Sequence, residues 1–214
     1  MQSKHEWRKH EKHLYLPKTK AEQIEIDSFN FISIDGQGHP QNAEFVACVE
    51  ALYSLAYTIK MGLKKRQDSP PGYTDFTVYP LEGLWDINDE AKKHFDGTVN
   101  KNDFVYTLMI RQPDFVSAEL FNEFVEIAQN KTHNTALEKI RFDQLREGPC
   151  VQMLHIGPYD NEAASFEKME QFCQEHNLRR LSKRHREIYL SDARKVSADK
   201  LKTVLRFQVE KQGL

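Results

Sequence analysis

The side chains best suited to chemistry lie near the carboxyl end of the chain, in a segment with the alternation of a strand. Side chains of a strand point alternately to its two faces, so Ile188 and Leu190 share one face and Glu187 and Tyr189 the other. If the apolar face packs on helices, Glu187 and Tyr189 lie on the opposite side of the sheet. A carboxylate among aromatic rings is partly desolvated, and it can attract a cation or act as a general base towards water. A solvent-facing Glu187 paired with Arg184 or Arg186 is the open alternative.

Two further strands offer residues that could assist such a carboxylate. Met153 and His155 share one face of the strand predicted at Cys150–Ile156. A histidine near the acid could relay a proton or simply hydrogen-bond the strand edge, and a methionine gives an adaptable apolar wall. Tyr106 and Met109 fall on opposite faces of their strand, so at most one of them is expected to line a pocket.

A pair of aromatic residues suggests walls for a flat ligand. An even number of positions separates Tyr79 from Trp85, so the two rings share one face of a predicted strand. Two aromatic rings on one face are suited to stacking against a flat aromatic compound. Glu82 points the other way unless Pro80 and Gly83 introduce a bulge that turns it inward. Packing of both rings in the core or against a hairpin is the alternative explanation.

The elements that would position these residues occur in a repeated order. The predicted elements are a strand over 24–38, a helix that starts after Asn42, strands Phe76–Trp85 and Phe104–Arg111, a helix at about Ser117–Gln129, the strand Cys150–Ile156, a helix at about Glu162–His176, and strands Arg186–Leu190 and Leu201–Val209. Strand–helix–strand–strand therefore occurs twice. This order predicts an α+β fold of two modules, with antiparallel sheets, helices on one side, a pseudo-two-fold axis and a central ligand pocket.

The predicted organisation is one domain spanning 1–214. It comprises an N-terminal arm over about 1–22, a first module over about 23–113, a connecting helix over about 114–148 and a second module over about 149–214. The acidic loop 86–103 is expected to hold a short helical stretch.

Composition narrows the classes of function. The 214 residues are 39% hydrophobic and 29% charged, with a net charge of −2, so nothing indicates direct nucleic-acid binding. No apolar run of membrane-spanning length is expected, and three cysteines without a C-x-x-C pattern suggest free buried thiols in a reducing, cytoplasmic setting. No nucleotide or serine-hydrolase motif is present, and His5, His10 and His13 lack a ligand framework, so we expect neither cofactor nor metal.

Five blocks of sequence resemble a known family. YPLEGLW (Tyr79–Trp85), HIGPYDN (His155–Asn161) and REIYLSDARKVSADKLKTVLRFQV (Arg186–Val209) resemble the GyrI-like family, as do NFISIDGQGHPQN and MIRQPDFV. The resemblance runs from about Leu14 onward. It implies a two-module α+β domain with a central pocket, in which the ligand-contacting acid falls at Glu187.

The resemblance also implies a range of functions. Relatives serve as effector-binding domains of multidrug-responsive regulators, and a stand-alone branch that this sequence resembles is associated with hydrolysis of cyclopropane-bearing DNA alkylators. The hypotheses are a detoxifying hydrolase, a multidrug-binding or sensing module, and a DNA gyrase-interacting protein. The expected partner is a lipophilic aromatic or cationic small molecule, with no membrane and an undetermined oligomeric state. The candidate residues are Glu187, Tyr189 and His155 for catalysis, and Tyr79, Glu82, Trp85, Tyr106, Met109 and Met153 for ligand binding.

Overall fold

The computed structural model describes residues 4–213. The strands are β1 (Glu22–Gln37), β2 (Leu81–Ile87), β3 (Phe104–Gln112), β4 (Arg141–Ile156), β5 (Leu178–Arg180), β6 (His185–Tyr189) and β7 (Lys202–Lys211). The α-helices are α1 (Trp7–His10), α2 (Lys12–Tyr15), α3 (Ala43–Lys65), α4 (Asp89–Lys93), α5 (Ala118–Gln129) and α6 (Ala163–Glu175). Single 3₁₀ turns form at Lys101–Asp103, Thr135–Lys139, Tyr159–Asn161 and Ala198–Lys200.

Hydrogen bonding joins the strands in the order β4-β1-β3-β2-β6-β7-β5. Strand β4 also pairs with β7, so the six strands from β4 to β7 in this order form a closed sheet. Strand β5 pairs with β7 outside this closed set. The β1–β3, β4–β7, β5–β7 and β6–β7 pairs are all antiparallel. The predicted α+β class with antiparallel strands is therefore confirmed.

The chain divides into two compact units. The first comprises residues 4–6, 29–81 and 85–145, and the second comprises residues 7–28, 82–84 and 146–213. Strands β1, β2 and β4 each contribute residues to both units. The predicted pseudo-two-fold axis and central pocket stay predictions.

The first unit is built around α3, whose buried face includes Leu52, Leu55 and Ile59. This helix packs on α5, whose start is capped by the Ser117 side chain, an acceptor for the backbone N–H of Leu120. By length and composition α3 is long and apolar enough to cross a membrane, although no segment of this kind was expected from the sequence. The core helix of a globular domain passes the same test, and α3 buries one face within its own unit.

The second unit has its core between α6 and the β4–β7 ladder. Its buried cluster comprises Ala21, Val151, Met153, Met169, Cys173, Leu178, Leu205, Phe207 and Val209. From Trp7 onward the expected N-terminal arm belongs to this unit. Its Trp7, Leu14 and Tyr15 side chains are buried, and the Trp7 and Tyr15 rings lie 5.2 Å apart. The three cysteines are free and buried, as predicted.

Several element boundaries differ from the predictions, and β5 was not predicted. The strand predicted from Phe76 starts at Leu81, directly after Pro80, which has no N–H to donate to a ladder. The region expected to be a connecting helix over 114–148 holds α5, a 3₁₀ turn and the first half of β4. The short helical stretch expected in the acidic loop is α4.

Candidate functional site

The pairing register of three strands determines which side chains accompany Glu187. Residues directly opposite each other in an antiparallel pair project to the same face, and so do alternate residues of one strand. The registers therefore place two rows on one face of the sheet. From β4 through β7 to β6, the first row is Met153, Leu205 and Glu187, and the second row is His155, Thr203 and Tyr189. Four of the predicted site residues share this face.

The face that carries Glu187 also carries α6. Met153 and Leu205 pack with Met169 of this helix, and the Phe166 ring lies 4.7 Å from the ring of His185. The expectation that the Ile188 face would pack on the helices is therefore wrong for α6. The reason is that Met153 and Leu205 provide the apolar surface onto which this helix folds back.

Glu187 is held by two neighbours on its own strand. Its side chain is 12% exposed, the Tyr189 hydroxyl donates to Oε2 at 2.8 Å, and Nε2 of His185 lies 3.1 Å from Oε1. The alternative of a solvent-facing glutamate paired with an adjacent arginine is wrong for Arg186. That guanidinium points to the other face, where it binds Glu82 at 2.7 Å.

Glu162 is a second acid at this site. It precedes α6 and is buried, with 7% of its surface exposed. Burial raises the pKa of the Glu162 carboxyl well above its usual range, and the negative charge of Glu187, the hydrogen bond to Glu187 and the charge of Asp160 raise it further. The raised pKa favours the protonated form of Glu162, whose carboxyl group hydrogen-bonds to Glu187. Its Oε1 atom has no hydrogen-bond partner within residues 4–213.

An aromatic edge flanks the two acids. The rings of Tyr159 and Tyr189 meet edge to face at 5.9 Å, and Tyr159 is 39% exposed. Burial of its hydroxyl end, followed by the negative charges of Glu187, Glu162 and Asp192, raises the pKa of Tyr159. The phenol is therefore neutral at physiological pH and offers an apolar face with a polar tip.

His155 makes structural hydrogen bonds with both ring nitrogens. Nε2 lies 3.1 Å from the carbonyl oxygen of Pro158, which can only accept, so Nε2 carries the proton. Nδ1 lies 2.9 Å from the Ser165 hydroxyl, which donates to it. These bonds attach the end of β4 to the turn that leads into α6. They favour the structural interpretation of His155 over the proton relay.

Glu82 lies in an internal ionic network rather than beside Glu187. It is 2% exposed and accepts from the Arg186 guanidinium and, at 3.5 Å, from the Tyr15 hydroxyl. The Nε atom of Arg186 lies 2.8 Å from Glu147. Although burial acts to raise the pKa of Glu147, the guanidinium groups of Arg186 and Arg206 hold it below its usual value. The Glu82 side chain is buried, and its partners belong to this network.

Two of the remaining candidates lie in an aromatic cluster of the first unit. The Trp85 ring lies 6.0 Å from Phe45, 5.3 Å from Phe104 and 5.1 Å from Tyr106. The Tyr106 hydroxyl is buried without a hydrogen-bond partner among the described residues. Burial first, with the neighbouring Cys48 and an acid, raises the pKa of Tyr106 to about 12.

The other two candidates of this unit are also buried. Tyr79 precedes β2 instead of sharing a strand with Trp85, and the Arg111 guanidinium lies 4.9 Å from the centre of its ring. Met109 is fully buried. Because Tyr106 and Met109 point to opposite faces of β3 and both are buried, this strand is covered on both sides.

Sequence reasoning missed two residues of the site, Glu162 and His185. His185 could have been found, since it lies two residues before Glu187 and must share its face. Glu162 was placed at the start of a helix, but its pairing with an acid 25 positions later depends on how α6 folds back, which strand alternation does not reveal.

Comparison with known proteins agrees with the family resemblance. A hydrolase from Listeria innocua is 37% identical, with a TM-score of 0.85, and the match covers 97% of this chain and 100% of that one. A second structure described as a hydrolase from Listeria innocua is 38% identical over the same shares, with a TM-score of 0.87. The C-terminal domain of EcmrR shares the fold, with a TM-score of 0.53, 15% identity and coverage of 90% of this chain and 98% of that one. No curated protein matches the chain.

The family model for the GyrI-like small molecule binding domain matches residues 19–210, which is most of the chain. Together with the hydrolases that align over nearly the full length, this match shows that the chain belongs to the GyrI-like small-molecule-binding domain family.

Proposed function

We propose that this protein is a hydrolase that binds flat, apolar small molecules beside Glu187 and opens a strained ring by adding water. The substrates that suit this chemistry are cyclopropane-bearing DNA alkylators, so the reaction would be a detoxification. The observation that carries the proposal is a pair of carboxyl groups beside two tyrosine rings: Glu162, whose pKa is raised by burial and then by Glu187, and Glu187, whose Oε2 accepts from the Tyr189 hydroxyl. Such a pair supplies a general acid and a general base at one point.

The two acids can divide the reaction between them. Glu187 accepts a proton from a water molecule, whose oxygen forms a bond to the ring methylene carbon. The ring C–C bond breaks, and its electron pair passes through the conjugated system to the carbonyl oxygen of the substrate. Glu162 protonates that oxygen, and the sum of the steps is the addition of one water molecule.

The hydrogen bond between the acids gives a route back to the starting state. After the reaction Glu187 carries the proton and Glu162 the charge, so transfer of one proton between them restores the pair. Tyr189 holds Oε2 of Glu187 in place, and Tyr159 offers a ring for the substrate to pack against. Ring strain drives the reaction, so the protein supplies position, a base and an acid.

The similarity to hydrolases supports this proposal. Structures described as hydrolases align with 37% and 38% identity over nearly the whole chain. A domain that only binds and senses small molecules is the competing function, and it would use the same residues without forming a product.

The test is turnover of a cyclopropane-bearing alkylator in ¹⁸O-water, followed by mass spectrometry. We expect wild-type protein to form ring-opened product with one ¹⁸O atom, and Glu187→Gln and Glu162→Gln each to lower kcat by about 100-fold or more. Glu167→Gln, on the exposed side of α6, is the matched control and should leave turnover unchanged.

Two results would contradict the proposal. Unchanged turnover in Glu187→Gln would remove this acid from the chemistry. Saturable quenching of tryptophan fluorescence by the same compound, without product from the wild-type protein, would identify a binding module instead.

A further inference from the structure

The outward face of α3 in the first unit carries a stripe of apolar side chains. Tyr57 is 52% exposed and Met61 is 44% exposed, and the half-buried Tyr53 has its ring centre 6.5 Å from that of Tyr57. These three residues, called the α3 stripe below, follow one another at steps of four, so they form one ridge along the helix. A contiguous apolar patch on the surface of a globular protein commonly marks a binding surface for another molecule.

An acid and a base lie at the two ends of the α3 stripe. Glu50 lies seven residues before Tyr57, Lys64 lies seven residues after it, and both side chains are exposed. Seven residues make almost two helical turns, so both charges point to the same side of α3 as Tyr57, each about 10 Å from it along the axis. The face is therefore negative towards the start of the helix, apolar in the middle and positive towards the end.

Neighbouring contacts within the first unit are directed away from this face. Gly62, where α3 and α5 approach each other, lies five residues after Tyr57 and therefore points about 140° away from it. The Lys64 ammonium lies 3.7 Å from Asp75, whose closer partner is Lys60 at 2.9 Å. Lys64 can therefore pair with a further carboxylate without leaving Asp75 unpaired.

We propose that the α3 stripe is the contact surface of a homodimer in which the α3 helices of two copies pack antiparallel. A two-fold axis beside Tyr57 brings the two Tyr57 rings together. It places Tyr53 level with Met61 of the partner subunit, because each lies four residues from the axis. It places Glu50 level with Lys64 of the partner subunit in the same way. A two-fold interface contains each contact twice, so two pairs of opposite charges enclose an apolar centre.

The charge pattern favours a second copy over a lipid surface as the occupant of this face. A helix that lies on a membrane carries lysine and arginine beside its apolar face, and anionic lipids attract it. Glu50 lies on the same side of α3 as the stripe, where anionic headgroups would repel it. A second, antiparallel copy supplies the opposite charge at both ends of the stripe at once.

The small size of the interface indicates a weak dimer. With its 23 residues, α3 is about 35 Å long, and the stripe occupies the middle of it. A single pair of helices buries less than the roughly 800 Å² per partner that is usual in stable complexes. We therefore expect monomer and dimer to be in an equilibrium that depends on protein concentration.

The first test is analytical ultracentrifugation of the full chain at concentrations up to about 200 μM, where interfaces of small area also become populated. We expect the mass of the wild-type protein to rise with concentration from the monomer value of 25.1 kDa towards twice that value. Glu50→Lys and Lys64→Glu should each weaken association at least about tenfold, since like charges then meet across the interface. Glu167→Lys, a charge reversal of an exposed acid on α6, is the matched control and should associate as the wild-type protein does. A monomer at every concentration would overturn the proposal.

Mixing the two charge variants tests the antiparallel register itself. In a pair of Glu50→Lys with Lys64→Glu, both positions of one copy are basic and both positions of the other are acidic. Opposite charges therefore meet at both ends again, and we expect the equimolar mixture to form a heterodimer with an affinity close to that of the wild-type protein. A mixture as monomeric as the separate variants would show that the proposed pairing is wrong.

A vesicle assay separates a second copy from a membrane as the occupant. We expect no binding of the wild-type protein to vesicles of phosphatidylglycerol and phosphatidylcholine. Vesicle binding that is lost in Tyr57→Ser, together with a monomeric wild-type protein, would assign the stripe to a lipid surface and overturn the dimer. Glu187→Gln should dimerise as the wild-type protein does, because α3 belongs to the first unit and Glu187 to the second. The dimer is therefore tested whether or not the protein proves to be a hydrolase.

Discussion

Glu162 is buried, and its raised pKa links the stability of the protein to pH. Its pKa in the folded state lies above the ordinary value of 4.5, so the folded protein binds more protons than the unfolded chain above that pH. The stabilisation is fully present below pH 4.5 and is lost as pH rises towards the folded-state pKa. One such proton changes the free energy of unfolding by up to about 1.4 kcal/mol per pH unit.

Replacing this acid by its neutral isostere should remove the pH dependence. Between pH 5 and pH 7 the free energy of unfolding of the wild-type protein should fall relative to that of Glu162→Gln. We expect the difference between the two proteins to change by more than about 1 kcal/mol in favour of the variant, because glutamine imitates the protonated acid at every pH. Urea denaturation at pH 5, 6 and 7 measures the difference. The exposed control Glu167→Gln should parallel the wild-type protein, and a parallel course for Glu162→Gln would refute the raised pKa.

Arg186 is the centre of the internal ionic network, and its loss should be severe. Arg186→Met leaves the carboxylates of Glu82 and Glu147 buried without this partner, which typically costs about 3–5 kcal/mol. Thermal and urea unfolding should show the loss, and adding Glu82→Gln should recover part of it. Arg194→Met, at a side chain that is 88% exposed, is the matched control and should change stability little. An equal effect of both arginine variants would contradict this account of the network.

At the scale of elements, the contact between α3 and α5 depends on a glycine. A Cβ atom at Gly62 would overlap the ring of Phe124, so the two helices approach closely only because Gly62 has no side chain. Gly62→Ala should therefore destabilise the protein by about 1–3 kcal/mol, although alanine usually stabilises a helix interior relative to glycine. Denaturant unfolding measures the change, and Phe124→Leu added to Gly62→Ala should relieve it. A gain in stability in the single variant would show that the ring simply moves aside.

The elements also show where sequence reasoning succeeds. Alternation along β6 correctly separated Glu187 and Tyr189 from Ile188, because the strand has a period of two whatever packs against it. The start of α3 was found from Asn42, and α5 lies within the helix predicted at about Ser117–Gln129. Fold class follows from the order of such elements, so most of the architecture was accessible.

The failures concern contacts between elements. Strand alternation identifies two faces but does not state which one a helix covers, and α6 covers the Glu187 face that was expected to be free of helices. The same limit hid Glu162, whose pKa depends on a carboxylate brought near by folding. It also made Glu82 look like a ligand contact, since its partner Arg186 is 104 residues away in the sequence.

At the scale of the whole molecule, three strands couple the unfolding of the two units. Residues of β1, β2 and β4 belong to both, so neither unit is a continuous segment of chain. Disruption of one of these strands in one unit therefore affects its continuation in the other. We expect the molecule to unfold as one cooperative system.

The two tryptophans allow a direct check, since Trp7 lies in the second unit and Trp85 in the first. Trp85→Phe leaves fluorescence that reports on the second unit, and Trp7→Phe leaves fluorescence that reports on the first. We expect the urea midpoint of each variant, measured by fluorescence, to coincide with its own midpoint from circular dichroism. Fluorescence that changes ahead of circular dichroism in either variant would reveal a unit that unfolds on its own.

The discontinuous second unit has a consequence for the order of events during synthesis. Residues 7–28 leave the ribosome before residues 146–213, which make up most of the second unit. Trp7, Leu14 and Tyr15 are buried in the folded protein, and they therefore stay without the rest of the second unit while more than half of the chain is being translated. At about 5–20 residues per second, this interval lasts about 6–24 seconds, during which the aromatic segment is a natural target for chaperones that bind exposed apolar side chains.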